Sequence, residues 1–98
     1  MKKINELFPV DEDFKVQSIH SDSRYVGKDS IFFCIDGLSV DGHKYIEDAI
    51  FRGAKCIVYS KPLTFKHKDV LYIKVDNVLD ELNRVADLFY DHPSYKMT

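Results

Sequence analysis

The chain has 98 residues, 45% of them apolar and 31% charged, with a formal net charge of −2. That length holds one domain with one core and is too short for two. The near-neutral balance and scattered lysines exclude a general binder of nucleic acid or anionic membrane, and no segment approaches the roughly 20 apolar residues that span a bilayer.

From the N-terminus, which has no apolar stretch of signal-peptide length, Ile4 to Phe8 forms one short helical turn before Pro9. Val10 to Phe14 contains the run Asp11-Glu12-Asp13 and reads as a solvated loop. Phe14 to His20 alternates well enough to predict one strand. A polar turn follows, Ser21-Asp22-Ser23-Arg24, and then Ile31 to Ile35, continuously apolar as in a strand covered on both faces. Asp36-Gly37-Leu38-Ser39-Val40-Asp41-Gly42 is a strand-to-helix loop. Asp41 is placed to cap a helix over His43–Arg52, with Ile46, Ala49 and Ile50 on one face. Gly53 ends that helix, because glycine takes the left-handed conformation without a Cβ penalty.

Lys55 to Tyr59 and Val70 to Val75 are two further strands. Between them, Lys61 to Lys68 reads as a solvated, mobile loop. The last helix starts at Asn77 as cap, with Asp80 in its first turn. Val78, Leu82, Val85, Ala86 and Phe89 recur at spacings of three and four and draw one apolar stripe. His92-Pro93 ends it. These elements predict an α/β fold, a small mixed or mainly parallel sheet flanked by helices, with a right-handed parallel crossover between the strands at Ile31 and Lys55. Ser94 to Thr98 begins to look extended and has no closing signal, which predicts that the chain is part of a longer protein.

Cys34 and Cys56 each lie inside an apolar strand, and no cysteine–histidine grouping has metal-ligand spacing. Buried thiols in a reducing compartment follow, so the cytoplasm is the expected location. His20, His43, His67 and His92 show no i, i+4 pairing; His43 opens a helix and the others read as surface residues. No Ser/His/Asp or Cys/His catalytic grouping can be drawn from spacing. No catalytic and no metal-binding residues are therefore expected in this chain.

Two polar segments remain, one after each of the first two sheet strands. Loops at strand ends are where α/β folds hold small polar ligands. In Ser21-Asp22-Ser23-Arg24, hydroxyls and turn N–H groups suit a phosphate or a base edge. From the residues alone the better account is an Asx or Ser turn that satisfies its own backbone, with Arg24 pairing Asp22. In Asp36–Gly42 the glycines allow close approach of a ligand, and the helix start offers N–H donors. Plain turn geometry accounts for those glycines just as well. Neither a P-loop nor a GxGxxG fingerprint is present.

With both segments in view, the sequence resembles the N-terminal domain of the Mur ligases, in particular of the UDP-N-acetylmuramoyl-tripeptide synthetase (MurE) type. The resemblance runs from about residue 18 to the end. It rests on Asp22-Ser23-Arg24, the strand Ile31–Ile35, Gly37, Asp41-Gly42-His43 with Tyr45 after it, the helix end Ala49-Ile50-Phe51-Arg52-Gly53-Ala54, and Ile57-Val58. Leu88-Phe89-Tyr90-Asp91-His92-Pro93-Ser94 is similar to the closing Phe-Tyr-x-His-Pro-Ser of that domain. The sequence departs from the family where Lys28-Asp29-Ser30 replaces Pro-Gly-Asp and Cys34 replaces an alanine; aspartate tolerates such a turn.

The resemblance implies a domain that binds the UDP end of UDP-N-acetylmuramoyl-L-alanyl-D-glutamate. Carried over by position, Ser23 is the foremost substrate contact and Ser21 the second. Leu38, Ser39 and Val40 line the pocket from the other loop, with Asp41 and Gly42 shaping it. It further implies a central domain that binds ATP and magnesium, reached through a Gly-Thr-Asn-Gly-Lys-Thr-like loop beyond Thr98, and a C-terminal domain for the incoming amino acid. This chain is then expected to carry no cofactor and not to ligate alone, with its own central and C-terminal domains as partners. Alternatives are the corresponding domain of the sister ligase MurF, a stand-alone regulatory module similar to the N-terminal domain of HPr kinase/phosphorylase, and a generic α/β interaction domain.

Overall fold

The computed structural model describes residues 2–35, 42–63 and 66–90. Near the N-terminus, Lys2–Lys3 (β1) pairs antiparallel with Lys15–Val16 (β2). Between them the turn Ile4–Leu7 (α1) buries Ile4 and Leu7, three residues apart and so on one face. Glu6 accepts a hydrogen bond from the Lys3 N–H at 3.0 Å and secures the helix start.

The main sheet contains Ser18–His20 (β3), Ser30–Phe33 (β4), Ala54–Tyr59 (β5) and Leu71–Lys74 (β6), neighbours in chain order and all parallel. The single strand expected over Phe14–His20 is divided at Gln17, whose N–H donates to the Asp29 carbonyl at 2.8 Å. Alternation alone cannot show this break, because β2 and β3 carry the same period into two different sheets.

Every residue of β4 is buried, as its unbroken apolar run requires. Successive side chains point to opposite faces. Ile31 and Phe33 of β4, with Cys56 and Val58 of β5, pack with Ile4, Leu7, Val78 and Val85. Phe32 and Cys34, with Ile57 and Tyr59, pack on the other side with Ile46 and Ala49. The first layer therefore contains α1 and the helix Val78–Tyr90 (α3), and the second contains the helix Ile46–Arg52 (α2). Among the described residues the result is helix, sheet, helix. The two buried cysteines are not disulfide-bonded, and they belong to opposite faces. Burial, with Glu12 adding repulsion, pushes the Cys56 thiol up and keeps it unreactive.

The helix expected over His43–Arg52 begins instead as a 3-10 turn, Gly42–Tyr45, and becomes α-helical at Ile46. Gly53 ends it at φ 120°. A Cβ there would stand 2.7 Å from the Lys28 Cα and 2.9 Å from the Gly27 carbonyl oxygen. Asp29 occupies the left-handed region at φ 58° and donates its N–H to the Gly53 carbonyl at 2.9 Å. The tolerance of aspartate for this conformation thus supports the departure at Lys28-Asp29-Ser30.

Asn77 caps α3 as its position requires, its side-chain oxygen accepting the Asp80 N–H at 3.0 Å. Arg84 donates from Nη2 to the Leu7 carbonyl at 3.0 Å and lies 5.4 Å over the Phe8 ring, tying α3 to the N-terminal turn. In the connection from β5 to β6, expected as a solvated loop, the described residues Lys66 and His67 are tied to the fold. The Lys66 ammonium lies 5.4 Å and 5.9 Å from the Tyr59 and Tyr72 ring centroids. The His67 N–H donates to the Tyr72 hydroxyl at 2.9 Å, and its ring meets Glu47 of α2 at 3.0 Å. Among the described residues no helix is long and apolar enough to cross a membrane.

Candidate functional site

In register, His20 of β3 stands beside Phe32 of β4, so the segments leaving these parallel strands start from one edge of the sheet. The second returns as the 3-10 turn and α2, and α2 packs against the segment that leaves β3. This arrangement sets the turn after β3 against α2, at the end of the sheet from which the second polar stretch departs. Leu38, Ser39, Val40 and Asp41 lie outside the described residues, as does the expected cap role of Asp41. Gly42 opens the 3-10 turn.

The β3 segment is described throughout. Asp22 adopts an extended conformation and accepts the Arg24 N–H at 3.0 Å, which starts a 3-10 turn over Ser23–Tyr25. The same carboxylate receives Arg24 Nη2 at 2.7 Å and Nε at 3.1 and 3.2 Å. The Tyr25 N–H reaches the Asp22 carbonyl and the Val26 N–H the Ser23 carbonyl. Val26, 7% exposed, anchors the turn in the core layer of α2. The self-satisfied turn therefore holds for Asp22 and Arg24. Ser21 is exposed beside them, whereas Ser23 is 5% exposed and forms the floor of the turn.

Hydrogen bonds from the Arg24 side chain, and then from its backbone, pull the Asp22 carboxyl down to about 2. Asp22 in return raises Arg24. The pair is charged throughout the neutral range, so Asp22 is no proton carrier there. His20, whose Nε2 lies 2.8 Å from the Ser18 hydroxyl, is lowered by burial, and the Asp22 charge only partly opposes this. Among the described residues no three His, Cys, Asp or Glu side chains converge to hold a metal ion.

Two exposed tyrosines escaped the sequence reading as site residues. Tyr25, 67% exposed, follows Asp22-Ser23-Arg24 directly, and the Arg24 guanidinium lies 5.7 Å from its ring centroid. Tyr45, 42% exposed, closes the 3-10 turn after the second loop. The available signal was an aromatic residue inside a polar stretch, out of step with any buried face. A cavity of about 320 Å³ lies elsewhere, at the starts of β5 and β6, where Lys55 and Lys68 face Glu12 and Asp69 beside Phe14 and Tyr72. Its charges cancel and no sequence-predicted residue lines it, so position and chemistry favour the turn.

Residues 15–90 match the sequence family described as "Mur ligase family, catalytic domain". The chain belongs to the Mur ligase family. It is 40% identical over 91 residues to a UDP-N-acetylmuramoyl-L-alanyl-D-glutamate–2,6-diaminopimelate ligase from Fusobacterium nucleatum, covering 93% of this chain and 19% of that protein. It is 41% identical over 87 residues to the enzyme of the same name from Clostridium tetani, covering 87% and 18%. A UDP-N-acetylmuramyl-tripeptide synthetase from Borrelia garinii is 36% identical over 87 residues, covering 87% and 17%. The chain thus matches the N-terminal domain of MurE-type ligases, and spans about a fifth of the length of these relatives.

The Mur ligase fold is shared with solved structures as well. MurF from Acinetobacter baumannii superimposes with a TM-score of 0.63 at 16% identity, over 78% of this chain and 16% of that one. MurF from Thermotoga maritima, in complex with ADP, gives 0.62 at 22% identity, over 72% and 16%. At such identities the likeness is one of fold.

Proposed function

We propose that this chain is the substrate-binding N-terminal domain of a UDP-N-acetylmuramoyl-tripeptide synthetase, residues 1–98 of a longer three-domain ligase in the cytoplasm. It holds the UDP end of UDP-N-acetylmuramoyl-L-alanyl-D-glutamate while the remaining domains, with ATP and magnesium, join the third amino acid to the peptide. The observation that carries this reading is the prebuilt turn Ser21–Tyr25 at the end of β3, beside the end of β4 and against α2. A turn already closed by its own side chains meets a ligand with little ordering cost. Ser21 and Ser23 supply hydroxyls, and the family resemblance assigns Leu38, Ser39, Val40, Asp41 and Gly42 to the same pocket.

The names of the relatives favour this substrate over that of MurF, since those at 35–41% identity are diaminopimelate ligases or tripeptide synthetases. The MurF structures share the fold at 16–22% identity and carry no preference between substrates. The test is an NMR titration of the chain with UDP-N-acetylmuramoyl-L-alanyl-D-glutamate. Amide shifts are expected at Ser21–Tyr25 and Gly37–Gly42, with binding weakened at least severalfold in Ser23→Ala. Absence of shifts at millimolar ligand counts against the domain as a binder, and shifts confined to the Lys55–Lys68 cavity overturn the residue assignment.

A further inference from the structure

We propose that the cavity at the starts of β5 and β6 is a second binding site, for a small zwitterion of the α-amino-acid class with an apolar side chain. It lies where the parallel strands begin, opposite the turn that follows β3, and so stands apart from the nucleotide-sugar reading. Its volume of about 320 Å³ is at the lower end of the range for small-molecule pockets, which suits a ligand of amino-acid size.

Four charged side chains line it, Lys55 and Lys68 against Glu12 and Asp69. Among the described residues, charged groups meet at Asp22–Arg24, Asp48–Arg52, Glu47–His67 and Glu81–Arg84, and no such contact joins these four to one another. Opposite charges that share a cavity without closing on each other present two separate poles to whatever enters. A simple anion is repelled by Glu12 and Asp69, and a simple cation by Lys55 and Lys68. A molecule that carries one charge of each sign satisfies both halves of the lining at once. Phe14 and Leu71, both half-buried, supply apolar surface for its side chain.

Two of the four charges are placed in advance. The Lys55 ammonium lies 5.2 Å from the Phe14 ring centroid, which holds a long side chain at the cavity. The Glu12 charge reaches the buried Cys56 thiol and helps to push it up, so this carboxylate is directed at the start of β5. Groups positioned before the ligand arrives reduce the ordering cost of binding.

The experiment is an NMR titration of the chain with L-leucine and with its two singly charged counterparts, isocaproate, which lacks the ammonium, and isoamylamine, which lacks the carboxylate. Leucine at millimolar concentration is expected to shift the amides of Glu12, Phe14, Lys55 and Asp69, with each counterpart about fivefold weaker. Lys55→Gln and Asp69→Asn, both at exposed positions, should each weaken leucine about two- to fivefold, whereas Lys55→Arg keeps the cation and should retain its affinity. Unchanged amide positions for Phe32 and Val58 in these variants separate a lost charge from a lost fold. If isocaproate or isoamylamine binds as well as leucine, the site takes a single charge or an apolar body and the inference is overturned. It is overturned too if Lys55→Gln and Asp69→Asn bind leucine like wild type. Leucine that moves no amide of the cavity at tens of millimolar makes it a solvated groove and ends the proposal, while the substrate reading at the other end of the sheet stands.

Discussion

The two ends of the main sheet use similar residues to opposite effect. At the end where the parallel strands begin, Gly27 to Ser30 forms a turn whose polar groups are spent on the fold. Ser30, fully buried, donates its hydroxyl to the Gly27 carbonyl at 2.7 Å, and Asp29 bonds through its backbone to both Gln17 and Gly53. At the end where the strands finish, Ser21 to Tyr25 forms a turn closed by the Asp22–Arg24 pair, leaving Ser21, Arg24 and Tyr25 exposed. Serine, aspartate and glycine at the first end bear structure. Serine, arginine and tyrosine at the second are left facing solvent. Residue type alone does not distinguish these roles, but the partner of each polar atom does.

The largest expected effect tests the first end. Gly53→Ala forces a Cβ into a backbone contact at φ 120°, and should cost roughly 3 kcal/mol or more in chemical denaturation. If it costs no more than a surface substitution, the contrast between the ends dissolves. Ser30→Ala is next. It removes the donor to the part-buried Gly27 carbonyl and should cost about 1–2 kcal/mol by the same measurement. At the other end, Ser21→Ala and Tyr25→Ala should change stability by no more than about 0.5 kcal/mol while ligand affinity falls. A destabilisation comparable to that of Ser30→Ala would assign Ser21 to the fold.

The smallest effect is one of pH. The folded Asp22 carboxyl is held at about 2, below its ordinary value of 3.8. A depressed carboxyl contributes stability that is fully present above the unfolded value and is lost as pH falls through the folded one. Asp22→Asn should therefore flatten acid unfolding slightly between about pH 4 and pH 2. It should leave the neutral range little changed, since the pair is exposed to solvent. A carbon-detected titration of Asp22 that gives an ordinary carboxylate value would break the bidentate pair with Arg24.

Much of the fold was legible because its signals are local. The apolar run at Ile31 predicts a strand buried on both faces, and β4 is one. The three-and-four spacing from Val78 and the cap at Asn77 predict α3 as it stands. Gly53 was legible as a helix stop, but not as the residue against which Gly27 and Lys28 close, because that contact joins positions some 25 apart in sequence. The division at Gln17 and the anchoring of Lys66 and His67 escaped for the same reason. Of the candidate site, the turn after β3 was legible as a polar cluster with two readings, and the structure gives the self-satisfied one to Asp22 and Arg24. Tyr25 escaped because an aromatic residue in a short polar stretch looks the same whether it covers the core or faces solvent.

By itself the sequence determined the strands of the main sheet, the two longer helices, the cap at Asn77, the stop at Gly53, and the family to which the two polar segments belong. These depend on residues within a turn or two of each other, where periodicity and hydrogen-bond capacity act directly. Only the tertiary structure decided that Cys34 and Cys56 lie on opposite faces, that both polar segments start from one edge of a parallel sheet, and that Asp22 occupies the edge of Arg24. Each depends on register or on a side-chain orientation. A shift of one residue in pairing reverses every face of a strand, and a local pattern is unchanged by it.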